Sequence, residues 1–246
     1  MNGLTQSLLF PDWPAPASVR ACVTTRAGGI SLPPYDSFNL GDHVGDEPAA
    51  VAENRRRLSE HFAIQPAWLK QVHGLHVADA DPSTVSEADA SWTSTPGIAC
   101  TVMTADCLPV LFCDRAGTRV AAAHAGWRGL AGGVLEATLD ALAVPPEEVL
   151  VWLGPAIGPQ AFEVGLEVRD AFTAVHPEAA AAFVEGERPG KLMADIYALA
   201  RLRLAARGVN AVYGGGLCTV SDSRFFSYRR TPQGGRFASL VWLAPR

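Results

Sequence analysis

Short apolar runs separated by polar turns recur along the chain, and eight of them have the length and composition typical of β-strands. These runs are rich in Val, Ala, Leu and Cys. The predicted strands cover residues 19–25, 68–74, 98–103, 108–114, 118–125, 149–154, 210–215 and 236–243. The polar residues 114–117 lie between two of these runs and predict a hairpin.

Four other segments carry the periodicity of helices and cover residues 49–62, 128–142, 166–175 and 193–207. In the second segment the apolar residues recur at helical spacing: Leu130, Val134, Leu135, Leu139 and Leu142. In the last segment, Gly208 is suitably placed just beyond the end of the predicted helix. Hairpins mixed with helices predict an α+β fold with mixed β-sheets and flanking helices, in contrast to a uniform βαβ repeat.

Neither of the two turn-rich stretches in the chain forces a domain boundary. Residues 83–97 are polar but short, and residues 176–190 have the composition of a mobile surface segment. We therefore predict a single domain over residues 1–246, a length that can bury a core without disulfides or metal.

Composition and charge exclude several classes of protein. The formal net charge is -5, with 20 Lys+Arg against 25 Asp+Glu, whereas a nucleic-acid-binding protein normally shows a basic excess or face. The basic run at residues 55–57 lies between Glu53 and Glu60 and indicates a solvated helix face. No apolar run approaches the roughly 20 residues that span a bilayer. We therefore expect neither nucleic acid nor membrane as a partner.

The five cysteines and the N-terminal segment indicate the cellular compartment. The cysteine count is odd and the spacings are irregular, which favours reduced thiols over a disulfide framework. The segment MNGLTQSLLFPDWP lacks a charged region followed by a long apolar core, so we do not expect a signal peptide. These features predict a cytoplasmic protein.

The segment AAAHAGWRGL (121–130) places an imidazole and an arginine at the end of an apolar strand. His124 is expected at the carboxyl end of that strand, where ligands tend to bind in α/β sheets. Gly126 and Gly129 allow a ligand to approach the backbone, and Arg128 offers a fork that matches phosphate. The alternative is an ordinary strand-to-helix turn in which His124 bonds a carbonyl.

Two further segments contain candidate metal ligands. Cys107 follows Asp106 just before an apolar strand, and His73 precedes Gly74 at a predicted strand end. One Cys and two His suit catalytic zinc, which takes three protein ligands and keeps one position open. The separations of 34 residues (107 minus 73) and 17 residues (124 minus 107) are unlike those of zinc fingers. A preformed fold must therefore bring these ligands together.

Nearly the whole chain resembles the YfiH-type family, also called the laccase-domain or polyphenol oxidase family and more recently a purine nucleoside phosphorylase family. The motifs that carry the resemblance are TTRAGG (24–29), SFNLGDHVGD (37–46), NRRRL (54–58), KQVHG (70–74), TADCLPV (104–110), AAAHAGWRG (121–129), GPAIGPQAFEVG (154–165), and CT, FFSYRR and GGR near the end.

The resemblance implies a fold similar to cysteine hydrolases and a zinc-type site made by His73, Cys107 and His124. It also implies phosphorolysis of adenosine, inosine and methylthioadenosine, together with adenosine deamination. Copper-dependent polyphenol oxidation and editing of peptidoglycan precursors have been associated with the family as well.

Phosphorolysis requires that phosphate be held beside the sugar, and arginines in the motifs are candidates. Our hypothesis is that Arg26 and Arg128 hold phosphate or another anionic group, with Arg230 or Arg236 closing the site. Asn39 and His43 are candidate substrate contacts. The alternatives are surface arginines that pack their stems and an asparagine that shapes a turn.

The sequence is compatible with several activities. Asp106 is a candidate acid/base for deamination, or else orients a ligand. Cys107 with His124 can act as a metal-free nucleophile and base. Six histidines without an H-x-H pair disfavour multicopper oxidation, although copper can bind the same ligands. A ligand-binding protein with structural zinc would need a fourth ligand, His43 or His76. We expect nucleoside and phosphate as partners and a monomer or weak homo-oligomer.

Overall fold

A computed structural model describes residues 7–245 of the chain. Residues 1–6 and Arg246 lie outside the described residues, and with them the start of the N-terminal segment that we interpreted as lacking a signal peptide. The single-domain organisation over 1–246 stays a prediction. Across the described range, no helix combines the length and apolarity that a bilayer crossing needs.

Strands outnumber helices in the described residues. The strands are β1 (Leu8–Leu9), β2 (Val19–Thr24), β3 (Gln65–Ala67), β4 (Leu69–Lys70), β5 (Val77–Asp79), β6 (Ser86–Glu87), β7 (Ala90–Thr93), β8 (Ile98–Thr104), β9 (Leu108–Asp114), β10 (Val120–Ala125), β11 (Val149–Leu153), β12 (Glu163–Gly165), β13 (Phe183–Glu185), β14 (Lys191–Ala194), β15 (Val212–Gly214) and β16 (Phe237–Leu243). The helices are α1 (Pro48–Phe62), α2 (Trp127–Gly132), α3 (Val134–Leu142), α4 (Leu166–Thr173) and α5 (Ile196–Ala206).

Two mixed sheets form the centre of the fold. One has the strand order β1-β2-β16-β8-β3 and the other β15-β11-β9-β10-β7-β5. Both contain antiparallel and parallel pairs, such as antiparallel β9–β10 and parallel β5–β7. Smaller sheets are formed by β12-β14-β13 and by β4-β6. The predicted α+β fold with mixed sheets and flanking helices is therefore confirmed.

Alternation along the central strands builds the core on both faces of each sheet. In β9, Val110 and Phe112 face the cluster that includes helices α3 and α5, whereas Leu111 and Cys113 face the other large sheet. Leu58 of α1 covers the outer face of that second sheet. Fully burying each large apolar side chain stabilises the fold by about 1.5–3 kcal/mol, so strands with two apolar faces are stable only between two layers.

The longer central strands were predicted well, but β7 lies in the stretch 83–97 that we interpreted as polar and turn-rich, and four other segments were wrong in part. The hairpin β9–β10 is confirmed, as is Gly208 at positive φ after α5. The predicted strand 68–74 is wrong beyond Lys70, because the chain turns there and His73 has a φ of 61°.

The predicted helices 128–142 and 193–207 are also wrong in part. The first is interrupted at Gly133, which has a φ of 109° and closes α2 with a bond from its N–H to Gly129 O. The second begins three residues late, because Asp195 caps α5 through the N–H groups of Tyr197 and Ala198. Within 176–190, the interpretation as a mobile surface segment is replaced by a 3-10 helix (Pro177–Ala182) and by β13, which pairs with β14.

Candidate metal centre

His73, Cys107 and His124 converge in the structure. The candidate ligand atoms of the three side chains all lie within 4.8 Å of one another. Cys107 Sγ is 3.8 Å from His73 Nε2, and the two imidazole centroids are 4.7 Å apart. These three residues, called the His/Cys/His cluster below, come from three separate parts of the chain.

Each ligand of the cluster lies just outside or at the end of a strand. His124 is 3% exposed near the end of β10, opposite Pro109 of β9. Cys107 lies in the turn between β8 and β9, after Asp106 at a φ of 94°. His73 lies in the loop after β4. Pairing of β9 with β10 therefore fixes two ligands, and the third depends on what holds the 71–75 loop.

A buried carboxylate, Asp89, holds both that loop and His124. Its Oδ1 lies 2.8 Å from His124 Nδ1 and accepts a bond from the N–H of His73 at 2.9 Å. Its Oδ2 accepts bonds from the N–H groups of Gly74 at 2.6 Å and Val72 at 3.2 Å. Because Asp89 accepts a hydrogen bond from the Nδ1–H of His124, the lone pair of Nε2 is left to bind an ion.

The charges in the cluster explain the pKa shifts there. Burial alone would raise the pKa of Asp89, but the hydrogen bonds from His124 and the Gly74 N–H hold it below its ordinary value. Burial would likewise raise the pKa of the Cys107 thiol, yet His124 and His73 lower it. Burial would lower the pKa of His124, and the charge of Cys107 and the bond to Asp89 raise it instead. The cluster thus favours a thiolate, the form of cysteine that binds metals.

The donor set fits a zinc ion. Tetrahedral zinc with ordinary bond lengths separates a nitrogen from a sulfur ligand by about 3.5 Å, close to the 3.8 Å between Cys107 and His73. Within residues 7–245, no fourth His, Cys, Asp or Glu joins the group. The arrangement therefore matches a three-ligand site with an open position. Copper also binds thiolate and imidazole, so the donors alone do not select the metal.

Gly126 keeps the cluster compact. A Cβ at this position would lie 2.7 Å from His73 Cδ2 and 3.2 Å from Cys107 Sγ. The backbone of Gly126, with a φ of -62° and a ψ of 157°, needs no glycine. Glycine is thus required at position 126 because His73 and Cys107 lie too close to its Cα to leave room for a Cβ.

The cluster opens into a cavity of about 490 Å³, a volume typical of small-molecule sites. Much of its wall is apolar or aromatic: Met103, Ala105, Trp127, Ile157, Phe162, Ile196 and Tyr228. Three arginines also line it, Arg128, Arg229 and Arg236, together with His43, Gln71, Thr104 and Asp106. The site can therefore hold a flat apolar group and an anion near a metal.

A family model described as multi-copper polyphenol oxidoreductase laccase matches residues 20–244. The chain belongs to this laccase-domain family. A purine nucleoside phosphorylase of Pseudomonas aeruginosa is 70% identical over 236 residues, which cover 96% of this chain and 98% of that protein. The purine nucleoside phosphorylase YfiH of Escherichia coli is 57% identical over 241 residues, again covering 96% and 98%.

Solved structures agree with this laccase-domain assignment. The crystal structure of a DUF152 protein from Neisseria meningitidis superposes with a TM-score of 0.94 at 56% identity, covering 97% of this chain and all of that one. The structure of YlmD from Geobacillus stearothermophilus gives a TM-score of 0.86 at 32% identity, with 93% of each chain covered.

The laccase-domain cavity includes part of the predicted substrate-binding set. Arg128 and His43 line it, and the guanidinium of Arg128 lies 4.4 Å from the Trp127 ring centroid. Asp106 also lines it, but Oδ1 accepts the Thr219 hydroxyl and Oδ2 accepts the Arg229 N–H, both at 2.6 Å. These bonds favour the orienting role for Asp106 over the acid/base role.

Arg26, Asn39 and Arg230 do not line the cavity. Arg26 pairs with Asp36 at 3.1 Å. Arg230 donates to carbonyl oxygens of the 219–225 segment, including Thr219 O at 2.7 Å. The Asn39 side-chain NH₂ group donates to Gly41 O and to the Asp46 carboxylate, and its Oδ1 accepts the backbone N–H of Arg236. Their side chains bind other parts of the protein, and their predicted contact with substrate stays a prediction.

Sequence reasoning missed Asp89 and the aromatic walls of the cavity. Asp89 stands between two alanines just before β7, in a stretch that we interpreted as polar and turn-rich. An acid directly before a short strand is the one local signal that points to it. Trp127 is in the AAAHAGWRG motif and Tyr228 in FFSYRR, so the motifs contained both without indicating their role.

Proposed function

We propose that this protein is a zinc-dependent purine nucleoside phosphorylase acting on adenosine, inosine or methylthioadenosine. The observation that carries the proposal is a three-ligand His/Cys/His cluster inside a cavity that has both aromatic walls and arginines. The names of the relatives at 70% and 57% identity support it. Nucleoside and phosphate are then the partners of the protein.

Phosphorolysis exchanges one bond at the sugar for another. An oxygen of phosphate forms a bond to the anomeric carbon, and the bond from that carbon to the purine nitrogen breaks. The electron pair leaves with the purine, which takes up a proton, and the products are the free base and the sugar 1-phosphate. The site must hold the two substrates in line and balance the phosphate charge.

The chain supplies groups for each of these tasks. Trp127, Phe162 and Tyr228 offer ring faces against which a purine can stack. The arginines on the same cavity balance an anion. Asp89 holds His124 and the His73 loop in the geometry that a metal needs. A zinc ion held there would act as a Lewis acid, polarising an oxygen of substrate or water at its open position.

Deamination of adenosine is a second reaction that we propose for the same cavity. It needs an activated water at the purine C6 and a group that transfers protons. With both oxygens of Asp106 already bound by the Thr219 hydroxyl and the Arg229 N–H, that group must be another residue. Deamination is thus the less supported of the two reactions.

The lowered pKa of Cys107 favours one other candidate function. A thiolate beside His73 and His124 can attack a carbonyl without metal. That chemistry would suit a hydrolase that edits peptidoglycan precursors. Copper-dependent polyphenol oxidation has less support, since the described residues contain one His/Cys group. A binding protein with a structural zinc is disfavoured, because within residues 7–245 no fourth ligand joins the His/Cys/His cluster.

Product analysis distinguishes these reactions. The zinc-loaded protein is incubated with adenosine, with and without phosphate, and the products are separated by chromatography. We expect adenine and ribose 1-phosphate to form when phosphate is present. Inosine formed at the same rate with and without phosphate would assign deamination alone. Absence of both product sets would overturn the proposal and favour the hydrolase.

Metal analysis tests the centre independently of turnover. Protein purified without added metal should contain about one zinc per chain, and Cys107→Ser should lose it. Cys218→Ser is the matched control, because Cys218 is free and half-buried but does not line the cavity. Copper in place of zinc would reassign the cofactor. Metal-free protein that stays active and is alkylated at Cys107 would favour the nucleophile.

The proposed chemistry also favours the reducing cytoplasm as its compartment. Cys107 binds a metal as a free thiolate, and free thiols persist where disulfides are reduced. All five cysteines are free in the structure. We also propose that the protein is a monomer or weak homo-oligomer.

A further inference from the structure

Arg236 lines the cavity with a guanidinium that has no carboxylate partner among the described residues. Its Nη1 donates to the carbonyl oxygens of Gly234 and Gly235, both at 3.0 Å, and the side chain is only partly exposed. Elsewhere in the chain, arginines such as Arg203 and Arg188 are ion-paired. A half-buried guanidinium that keeps free donors toward a cavity indicates a site for an anion.

The charges around the cavity also indicate a site for an anion. Arg128 and Arg229 also line it without an ion pair, and the one carboxylate on its wall is Asp106. The oxygens of Asp106 accept bonds from the Thr219 hydroxyl and from the backbone N–H of Arg229, and among the described residues Asp106 forms no salt bridge with an arginine of the cavity. The cavity is therefore cationic inside a protein whose formal net charge is -5.

Two residues of the SFNLGDHVGD motif fix the position of Arg236. Asn39 Oδ1 accepts the N–H of Arg236 at 2.8 Å and the N–H of Gly41 at 2.9 Å. A Cβ on Gly41 would lie 2.9 Å from Arg236 Cγ, so the glycine leaves room for the arginine stem. The motif near residue 40 and the GGR motif at 234–236 are thus parts of one structure whose effect is to present this guanidinium.

We infer that Arg236 is the principal phosphate-binding residue of the cavity and that it receives inorganic phosphate. The inference rests on the proposed phosphorylase function for the choice of anion. Arg128 and Arg229, on more exposed parts of the wall, complete the anion subsite. Arg236 lines the same cavity as His73, Cys107 and His124, so phosphate bound to it would lie in the cavity that the His/Cys/His cluster opens into.

Phosphate binding to the zinc-loaded protein tests the inference without turnover. Titration calorimetry with inorganic phosphate should give an affinity for Arg236→Gln at least about tenfold weaker than for the wild type, because a charge-assisted bond is lost. In the phosphorolysis assay, the KM for phosphate should rise by a similar factor while the KM for nucleoside changes less than about threefold. Arg169→Gln is the matched control, since Arg169 is exposed, pairs with Asp170 and lies off the cavity.

A second variant covers the case in which Arg236→Gln misfolds. Gly41→Ala keeps every charge and displaces the Arg236 stem, and it should weaken phosphate binding in the same direction. Equal phosphate affinity in the wild type and in folded, zinc-loaded variants would overturn the inference, as would loss of zinc together with phosphate binding. Phosphate binding that depends on Arg236 in a protein that cleaves no nucleoside would support the subsite and reject the phosphorylase.

Discussion

Asp89 Oδ1 lies 2.8 Å from His124 Nδ1, and the same carboxylate accepts the backbone N–H groups of the loop that carries His73. One fully buried acid thereby sets the orientation of one candidate ligand and the backbone position of another. Because partners behind metal-binding histidines fix their tautomer and orientation, metal affinity should depend on Asp89 although it is not one of the three candidate ligands.

Asp89→Asn should weaken zinc binding by about 10–100-fold. The asparagine NH₂ group replaces an acceptor and faces either the His124 proton or a loop N–H, so one buried donor is left without a partner. The free energy of unfolding should also fall by about 1–3 kcal/mol. Competition with a chromogenic chelator measures the affinity, and urea denaturation measures the stability. Asp79→Asn, at an exposed position of β5, is the control; equal zinc affinity in both variants would contradict the role given to Asp89.

Gly126→Ala should disrupt the cluster without removing a ligand. The added methyl group would stand 2.7 Å from His73 Cδ2, so the imidazole must move away from Cys107. The backbone conformation of Gly126 suits alanine, and we expect the far-ultraviolet circular dichroism to stay unchanged while zinc content falls severalfold. A variant that retains a full zinc complement at wild-type affinity would show that the cluster is looser than its distances indicate.

The reactivity of Cys107 should follow a lowered pKa when metal is removed. Burial opposes ionisation, but the charge and hydrogen bonds of His124 and His73 lower the pKa of the thiol to about 6. Because the thiolate is the reactive form, alkylation by iodoacetamide should be half-maximal near that pH and level above about pH 7. A rate that keeps rising through about pH 8.5, as for an ordinary thiol, would contradict this.

The other cysteines need a control in this experiment. Cys22, Cys100 and Cys113 are buried, and burial raises the pKa of each thiol, so they should not react in the folded protein. Cys218 is half-buried, and bonds from Ser221 and the Gly158 N–H lower its pKa despite the opposing effect of burial. The measurement therefore uses Cys218→Ser, with the alkylated peptide identified by mass spectrometry. Added zinc should protect Cys107.

Hydrophobic patterning predicted the longer strands of the central sheets because they are buried on both faces, but it missed short strands such as β7, which pairs with β10. Residues 108–114 form β9 with the predicted bounds, and every residue in it is buried. The motifs likewise contain His73, Cys107 and His124, the three candidate ligands that converge in the structure. The hydrophobic pattern can be recognised in a single sequence, whereas the ligand set was implied by the resemblance to the laccase-domain family.

The roles of the polar residues could not be predicted because they depend on distant partners. Asp89 resembles a loop acid in the sequence, and only folding places it against His124, 35 residues away. Arg26 and Arg236 each lie within two residues of a glycine in a motif, yet the first pairs with Asp36 and the second lines the cavity. The interruption between α2 and α3 at Gly133 also lies against a distant residue, because Arg203 of α5 pairs with Glu136 beside it.

That pair joins two of the helices that pack beside the cavity. Arg203 of α5 is 5% exposed and donates to Glu136 Oε1 of α3 at 2.7 Å and to Ala131 O of α2 at 3.0 Å. Glu136 Oε2 is buried without a hydrogen-bond partner within the described residues. Glu136 therefore depends on Arg203 for the compensation of its charge, while α2 carries Trp127 and Arg128 to the cavity.

Arg203→Met should lower the free energy of unfolding by about 3 kcal/mol, because it leaves unpaired a carboxylate whose side chain is only 17% exposed. The double variant Arg203→Met/Glu136→Leu should recover most of that loss, since apolar side chains of similar size need no partner. Arg169→Gln, which breaks an exposed pair with Asp170, should change the stability by less than about 0.5 kcal/mol. Urea denaturation measures all three. If the single and double variants were equally destabilised, packing of the arginine stem, and not charge compensation, would be the contribution of Arg203.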